Sequence, residues 1–139
     1  MINNRHKTNN DGVYSETTQS IRISVLPEHL EDNSDPLNDV YAFAYTITIE
    51  NLGEHTVQLL ERHWIITSGG VQIAEVIGPG VVGAQPVLEP GQTFEYSSGA
   101  VIHDPVGAMH GNYTFRNHAG QYFDVTIPRF ELAYPVYIH

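Results

Sequence analysis

Three glycines at positions 78, 80 and 83, in the stretch IGPGVVG, have the G-x-G-x-x-G spacing of a dinucleotide-binding turn. In that turn a helix follows the glycines, and its N–H groups hold the pyrophosphate. Here the next residues, VVGAQPVLEPGQ, contain two prolines and a Pro-Gly turn, so we predict no long helix and no Rossmann-type site. The glycines instead favour loop geometry with positive φ. The alternative is a small anion or nucleotide phosphate held by backbone N–H groups, assisted by Arg62 or Arg116.

Histidines are frequent, with eight in 139 residues. A conceivable metal-ligand set of imidazoles and one carboxylate comprises His63, His103, Asp104, His110 and His118. The spacing contains no H-x-x-x-H helix motif and no H-x-H pair, so the pattern does not specify a metal site. His63 alternates with Trp64, and we expect one of the two to face the core and the other to face outward.

The sequence predicts no catalytic residue. Ser97, Ser98, His103 and Asp104 are close along the chain, but no G-x-S-x-G elbow presents a serine nucleophile. Pairs of carboxylates suited to acid–base chemistry are also missing from the strand pattern. We therefore expect a protein that is not an enzyme and needs no cofactor.

Short runs of β-branched and aromatic residues set the predicted architecture. In SIRISVL, Ile21, Ile23 and Val25 share one face, and FAYTITIE alternates in the same way. Further strand-like runs are TVQLLERHWIITS, VQIAEVI, TFEYSS, NYTFRN and QYFDVTIPRFEL. The prediction is an all-β, antiparallel β-sandwich of the immunoglobulin or fibronectin type III-like kind with about seven to eight strands. A closed barrel is the alternative, and the acidic stretch PEHLEDNSDPLND is expected to be a solvated connection broken by Pro27 and Pro36.

Length and net charge limit the domain organisation and the classes of binding partner. Residues 1–12 are polar and Asn-rich, which predicts a flexible tail, and residues 13–139 have the size of one domain. The formal net charge of −10 disfavours nucleic acid and anionic membranes as partners. The chain lacks cysteine, a long apolar run and a secretory signal, so we expect a cytoplasmic protein without membrane insertion.

Aromatic residues are expected to fill much of the predicted core, and any ring left outside the core is expected to contact another protein. The strands carry tyrosines and phenylalanines at positions 41, 43, 45, 94, 96, 113, 115, 122 and 123. Most of these rings are needed to fill a sandwich core. The remainder would form a protein-binding face.

Several separated motifs together resemble the ApaG family: RHWII, GPGVVGAQPVLEPG, GAMHGNY and FDVTIPRFEL, spread over about residues 14–135. The resemblance implies a fibronectin type III-like sandwich and an association with cobalt resistance and magnesium efflux. ApaG-like domains also occur fused to F-box and polymerase-interacting proteins, a context of protein binding. The resulting hypothesis is a non-enzymatic domain that binds an unidentified protein in a process linked to divalent-cation homeostasis. Phosphate binding at the GPGVVG loop and direct metal binding by histidines are the alternatives.

Overall fold

The computed structural model describes residues 11–135, which form two antiparallel β-sheets. The predicted tail, residues 1–12, lies almost entirely outside the described residues. The strands are β1 (Tyr14–Thr18), β2 (Ile21–His29), β3 (Tyr41–Asn51), β4 (Val57–Ser68), β5 (Val71–Pro79), β6 (Val87–Leu88), β7 (Thr93–Ile102), β8 (Val106–Asn117) and β9 (Tyr122–Ala133).

The all-β sandwich prediction is confirmed. One sheet has the order β1-β2-β3-β7, and the other has the order β5-β4-β8-β9, with β6 paired to β4. Residues 11–135 contain nine strands, where the sequence pattern indicates about seven to eight. The additional strands are short: β1 has five residues and β6 has two. Runs of this length carry too few alternations to be recognised from sequence.

Period-two alternation places the core between the sheets. Ile21, Ile23 and Val25 of β2 are buried, as are the four alternating residues Phe43, Tyr45, Ile47 and Ile49 of β3. From the other sheet, Trp64 is only 4% exposed. These faces are the ones that the sequence predicts, because one face of each strand must be covered by the opposite sheet.

The connection after β2 differs from the expectation in one respect. Pro27 does not end the strand, since β2 continues to His29 and Pro27 pairs with Tyr45 of β3. The neighbouring strand β1 reaches only Val25 of β2, so β2 is an edge strand at Pro27. A proline is tolerated there because its missing N–H is not required by a second neighbour. The rest of the connection contains two short 3-10 turns, Glu31–Asn33 and Pro36–Asn38.

The two lateral sides of the sandwich differ in whether strands of opposite sheets contact each other. Along one side, β1 and β2 contact β9 across the core. On the other side are the free edges of β5 and β7, which pair only with β4 and β3 respectively. This side, called the open side below, leaves a gap between the sheets. Among residues 11–135, no helix has the length and apolar character needed to cross a bilayer.

Candidate functional site

A cleft of about 340 Å³ enters the sandwich from the open side. Residues of β3, β4, β5, β7, β8 and the glycine loop line it: Tyr45, Arg62, Trp64, Ile66, Val76, Val81, Val82, Tyr96, Ser98, Gly99 and Met109. The lining is mainly aromatic and aliphatic, with a single charged side chain. Small-molecule sites have this composition, in which a few polar groups orient a ligand within an apolar surface.

Arg62 is fixed at the mouth of the glycine loop. It lies on β4 opposite Gly78 of β5. Its Nη1 donates hydrogen bonds to the carbonyl oxygens of Pro79 and Gly80, at 2.8 and 2.9 Å. A Cβ on Gly78 would lie 3.1 Å from the guanidinium, so the glycine makes room for the arginine. Arg62 therefore contacts both Gly78 and Gly80 directly.

Three tyrosine hydroxyls lie within reach of the charge on Arg62. Tyr96 and Tyr113 share a hydrogen bond between their hydroxyls, across the two sheets. Burial raises the pKa of Tyr45, while a hydrogen bond with Ser98 and the positive charge of Arg62 lower it by less. Burial also raises the pKa of Tyr96 and of Tyr113, and Arg62 again opposes the shift. The hydroxyls thus stay protonated at neutral pH and can donate.

The glycine loop, residues 78–83, is a tight turn that differs in geometry from a Rossmann turn. Val81 and Ala84 exchange two backbone hydrogen bonds of 2.8 Å, and between them Val82 and Gly83 have φ of 44° and 79°. Two successive positive φ values define a type I′ turn. β5 enters this loop, but only the two-residue β6 follows it, so the helix of a Rossmann turn is missing as predicted. The N–H groups of Gly80, Val81 and Ala84 already donate within the protein, which leaves fewer for an anion.

Arg116 lies away from the glycine loop. Its Nη2 donates to Oε1 of Gln58 at 2.9 Å, beside β6, and it lines a second cavity together with His118. The structure thus brings Arg62, Gly78 and Gly80 together, and it places Arg116 on a different strand facing a different cavity. His118 itself stacks on His55 with 4.0 Å between the ring centroids. His55 had no role in the sequence-based metal set.

The other proposed metal ligands are dispersed. His63 faces outward, as its alternation with the buried Trp64 predicts, and its Nε2 lies 2.7 Å from Oε2 of Glu75. His110 is on the neighbouring strand β8, opposite Ile65, so it shares that outer face. Asp104 accepts a 2.7 Å hydrogen bond from the Ser68 hydroxyl, which in turn accepts from the N–H groups of His103 and Asp104. Across residues 11–135, no group of three or more His, Asp or Glu side chains is placed to hold a metal ion.

Comparison with known proteins identifies the family to which this chain belongs. Residues 31–117 match the family model described as the ApaG domain. The chain belongs to the ApaG domain family. It is 54% identical over 119 residues to Protein ApaG of Thiobacillus denitrificans, covering 86% of this chain and 94% of that protein. It is 49% identical over 125 residues to Protein ApaG of Pseudomonas entomophila, covering 90% and 99%. The crystal structure of the putative ApaA protein from Bordetella pertussis matches with a TM-score of 0.80 and 47% identity, covering 83% of this chain and 94% of that one.

The exposed apolar surface of this ApaG domain is aliphatic more than aromatic. Of the nine aromatic residues considered for a binding face, Tyr122 is the one that is mostly exposed, at 68%, and the others are buried or partly buried. The remaining exposed apolar side chains lie largely on the open side: Val71, Ile73, Val76 and Ile77 of β5, Val82 of the loop and Val101 of β7. An aromatic protein-binding face is therefore not what the fold presents.

Sequence reasoning did not find the cleft of this ApaG domain, although one signal was available. In the R-x-W motif, Arg62 and Trp64 are two residues apart on one strand, so they share a face. A charged residue on the same face as a buried tryptophan is unusual and points to a polar feature inside the sandwich. The other lining residues, such as Tyr45 and Ser98, are too far apart in sequence to be grouped without the sheet order.

Proposed function

We propose that this ApaG domain is a non-enzymatic protein-interaction domain that acts in the cytoplasm, in a process linked to divalent-cation homeostasis. The link to cobalt and magnesium rests on the family resemblance. The protein-binding role rests on one structural observation, the free and apolar edge strand β5. A partner strand adding to this edge would extend the five-stranded sheet.

β5 is exposed on both faces over its length. Val71, Ile73 and Ile77 are 65%, 43% and 68% exposed. Edge strands are ordinarily kept from pairing by charged side chains, especially lysine, by proline, by β-bulges or by a very short length. β5 has nine residues, its single charged side chain, Glu75, is hydrogen-bonded to His63 of β4, and its proline is at the last position. Its bulge opposite Ile66 and Thr67 affects only the beginning of the strand.

The net charge supports a protein partner over a nucleic acid. A chain with a formal charge of −10 repels phosphate backbones and attracts basic surfaces. The alternatives have less support. Three N–H groups of the glycine loop are already used, and the histidines considered as metal ligands are spread over separate strands and loops.

The test compares two double substitutions. Ile73→Lys with Ile77→Lys places two charges on the edge strand, whereas Leu37→Lys with Leu52→Lys makes the same chemical change on exposed loops, where Leu37 is 97% exposed. Immobilised wild-type protein and both variants are used for affinity capture from native cytosol, with and without cobalt. The captured partner is then purified, and its Kd for each protein is measured.

We expect one partner to be enriched on the wild type and on the loop variant, and its Kd to rise at least about tenfold for the β5 variant. Equal affinity for all three proteins would show that β5 is not the binding edge. Absence of any reproducible partner would contradict the protein-binding function itself.

A further inference from the structure

We propose that the cleft on the open side binds a small organic anion with an apolar body, whose charged end contacts Arg62. This site is separate from pairing along the β5 edge, and the inference does not depend on the identity of the protein partner. It also differs from phosphate binding by the loop's backbone N–H groups, because the ligand would lie between the two sheets.

The shape and lining of the cleft fit such a ligand. Its volume of about 340 Å³ is within the range of small-molecule sites. Trp64 and Tyr45 provide ring surfaces, with their ring centroids 5.6 Å apart. Ile66, Val76 and Met109 supply aliphatic walls. A ligand body that is aromatic or aliphatic would replace water on these walls and gain hydrophobic stabilisation.

The charge in the cleft specifies the ligand's polar end. Arg62 is its single charged residue, and no carboxylate among residues 11–135 lies within ion-pair distance of it, whereas Arg22 is paired with Glu50 at 2.9 Å. Nη1 of Arg62 is used by the carbonyls of Pro79 and Gly80, which leaves the N–H groups of Nε and Nη2. Those carbonyls also orient the guanidinium. An oriented guanidinium without a carboxylate partner is suited to an external carboxylate or phosphate, and this local positive charge acts at the site against the repulsion from the protein's net charge of −10.

Neutral hydroxyl groups complete the polar side. Tyr45 and Ser98 lie opposite each other on β3 and β7 and line the same cleft as Arg62. Since burial keeps the Tyr45 hydroxyl protonated, it does not repel an anion at neutral pH. Inorganic ions should bind more weakly than an organic anion, because they gain nothing from the apolar walls. Cations should bind weakly because Arg62 repels them.

The experiment uses four probes that share one phenethyl body and differ in their end group: hydrocinnamate, phenethyl phosphate, phenethyl alcohol and phenethylammonium. Trp64 is the protein's only tryptophan and lines the cleft, so its fluorescence reports binding at the site. Amide NMR shifts locate the bound probe. We expect saturable binding of one or both anions, with shifts at Arg62, Val76 and Ser98. The tighter anion identifies the head group as carboxylate or phosphate.

Variants assign the contacts. Arg62→Gln should weaken anion binding at least about tenfold and leave the alcohol unchanged, because a charge-assisted hydrogen bond is removed. Arg116→Gln is the matched control and should have no effect. Val76→Phe narrows the cleft while keeping the Arg62 side chain, and it should weaken every probe, which keeps the test valid if Arg62→Gln disturbs the loop. The proposal is overturned if the alcohol or the ammonium probe binds as tightly as the anions. It is also overturned if Arg116→Gln matches Arg62→Gln, or if no anion binds saturably at millimolar concentration.

Discussion

Gly80 and Gly83 both have positive φ, 62° and 79°, yet their surroundings differ. A Cβ on Gly80 would overlap the carbonyl oxygen of Ala84, whereas a Cβ on Gly83 would meet nothing within 4 Å. We expect Gly83→Ala to lower the free energy of unfolding by about 1–2 kcal/mol, the usual cost of a left-handed non-glycine residue. Gly80→Ala should cost more, because the turn must also move. Urea unfolding of the two variants tests this, and equal losses would show that the close approach to Ala84 is unimportant.

The buried hydroxyl pair of Tyr96 and Tyr113 predicts sensitivity to alkali. Burial raises the pKa of both residues, so the folded protein keeps these protons at a pH where the unfolded chain loses them. The free energy of unfolding should therefore be unaffected by this pair below about pH 10, the ordinary tyrosine value, and should fall as the pH rises further.

Ultraviolet absorbance of phenolate measures this directly. In the folded protein, Tyr45, Tyr96 and Tyr113 should not titrate with the remaining tyrosines, and their signal should appear together with alkaline unfolding. The urea-denatured protein is the control, in which all eight tyrosines titrate near their ordinary pKa. Full titration of eight tyrosines before loss of the β circular dichroism signal would contradict the burial of these hydroxyls.

At the scale of strands, the sequence was sufficient for most of the fold. Alternation in β2 and β3 identified the core faces because each of these strands has one covered and one less covered face. The same logic gave the outward position of His63. β5 shows the limit: its β-branched residues resemble those of a buried strand, but both of its faces are largely exposed. The amino-acid composition of a segment indicates that it prefers to form a strand, but it does not indicate whether another element covers that strand.

The candidate site was predictable only where its parts are local. Arg62 and Gly78 could be grouped because β4 and β5 are consecutive strands joined by a tight turn, so their register is short-range. Arg116 could not be placed correctly, because its distance from the loop depends on which strands flank β4. The cleft forms only when the two sheets pack together, and the residues that line it lie on different strands between Tyr45 and Met109. A local sequence pattern therefore cannot predict which of them come into contact.

For the whole molecule, the dispersion of histidines predicts how it responds to metal ions. Cobalt prefers imidazole, and magnesium prefers carboxylates and water. With His63 hydrogen-bonded to Glu75 and Asp104 to Ser68, we expect only weak cobalt binding and no specific magnesium site. Isothermal titration of untagged protein measures both, with His6→Ala as a control for the N-terminal histidine.

Weak cobalt binding should be centred on the adjacent rings of His55 and His118; because these rings are stacked, one must rotate before a nitrogen of each can face the same ion, which keeps the affinity low. His118→Ala should reduce the cobalt heat, and the double substitution His103→Ala with His110→Ala should not. A stoichiometric, submicromolar cobalt site removed by that double substitution would contradict the prediction and favour direct metal binding as the function.

The unequal sides of the sandwich set how its two sheets move relative to each other. Because β1 and β2 pack on β9 while β5 and β7 have free edges, a small rotation about the β2–β9 side would widen or narrow the open side, and the Tyr96–Tyr113 hydrogen bond between β7 and β8 would limit its extent. Amide hydrogen exchange should then be graded across each sheet, fastest in β5 and β7 and slowest in β2 and β8, which are paired on both sides. A ligand in the cleft would restrain this rotation and slow exchange at both free edges, so occupancy between the sheets would be transmitted to the strand that receives a partner.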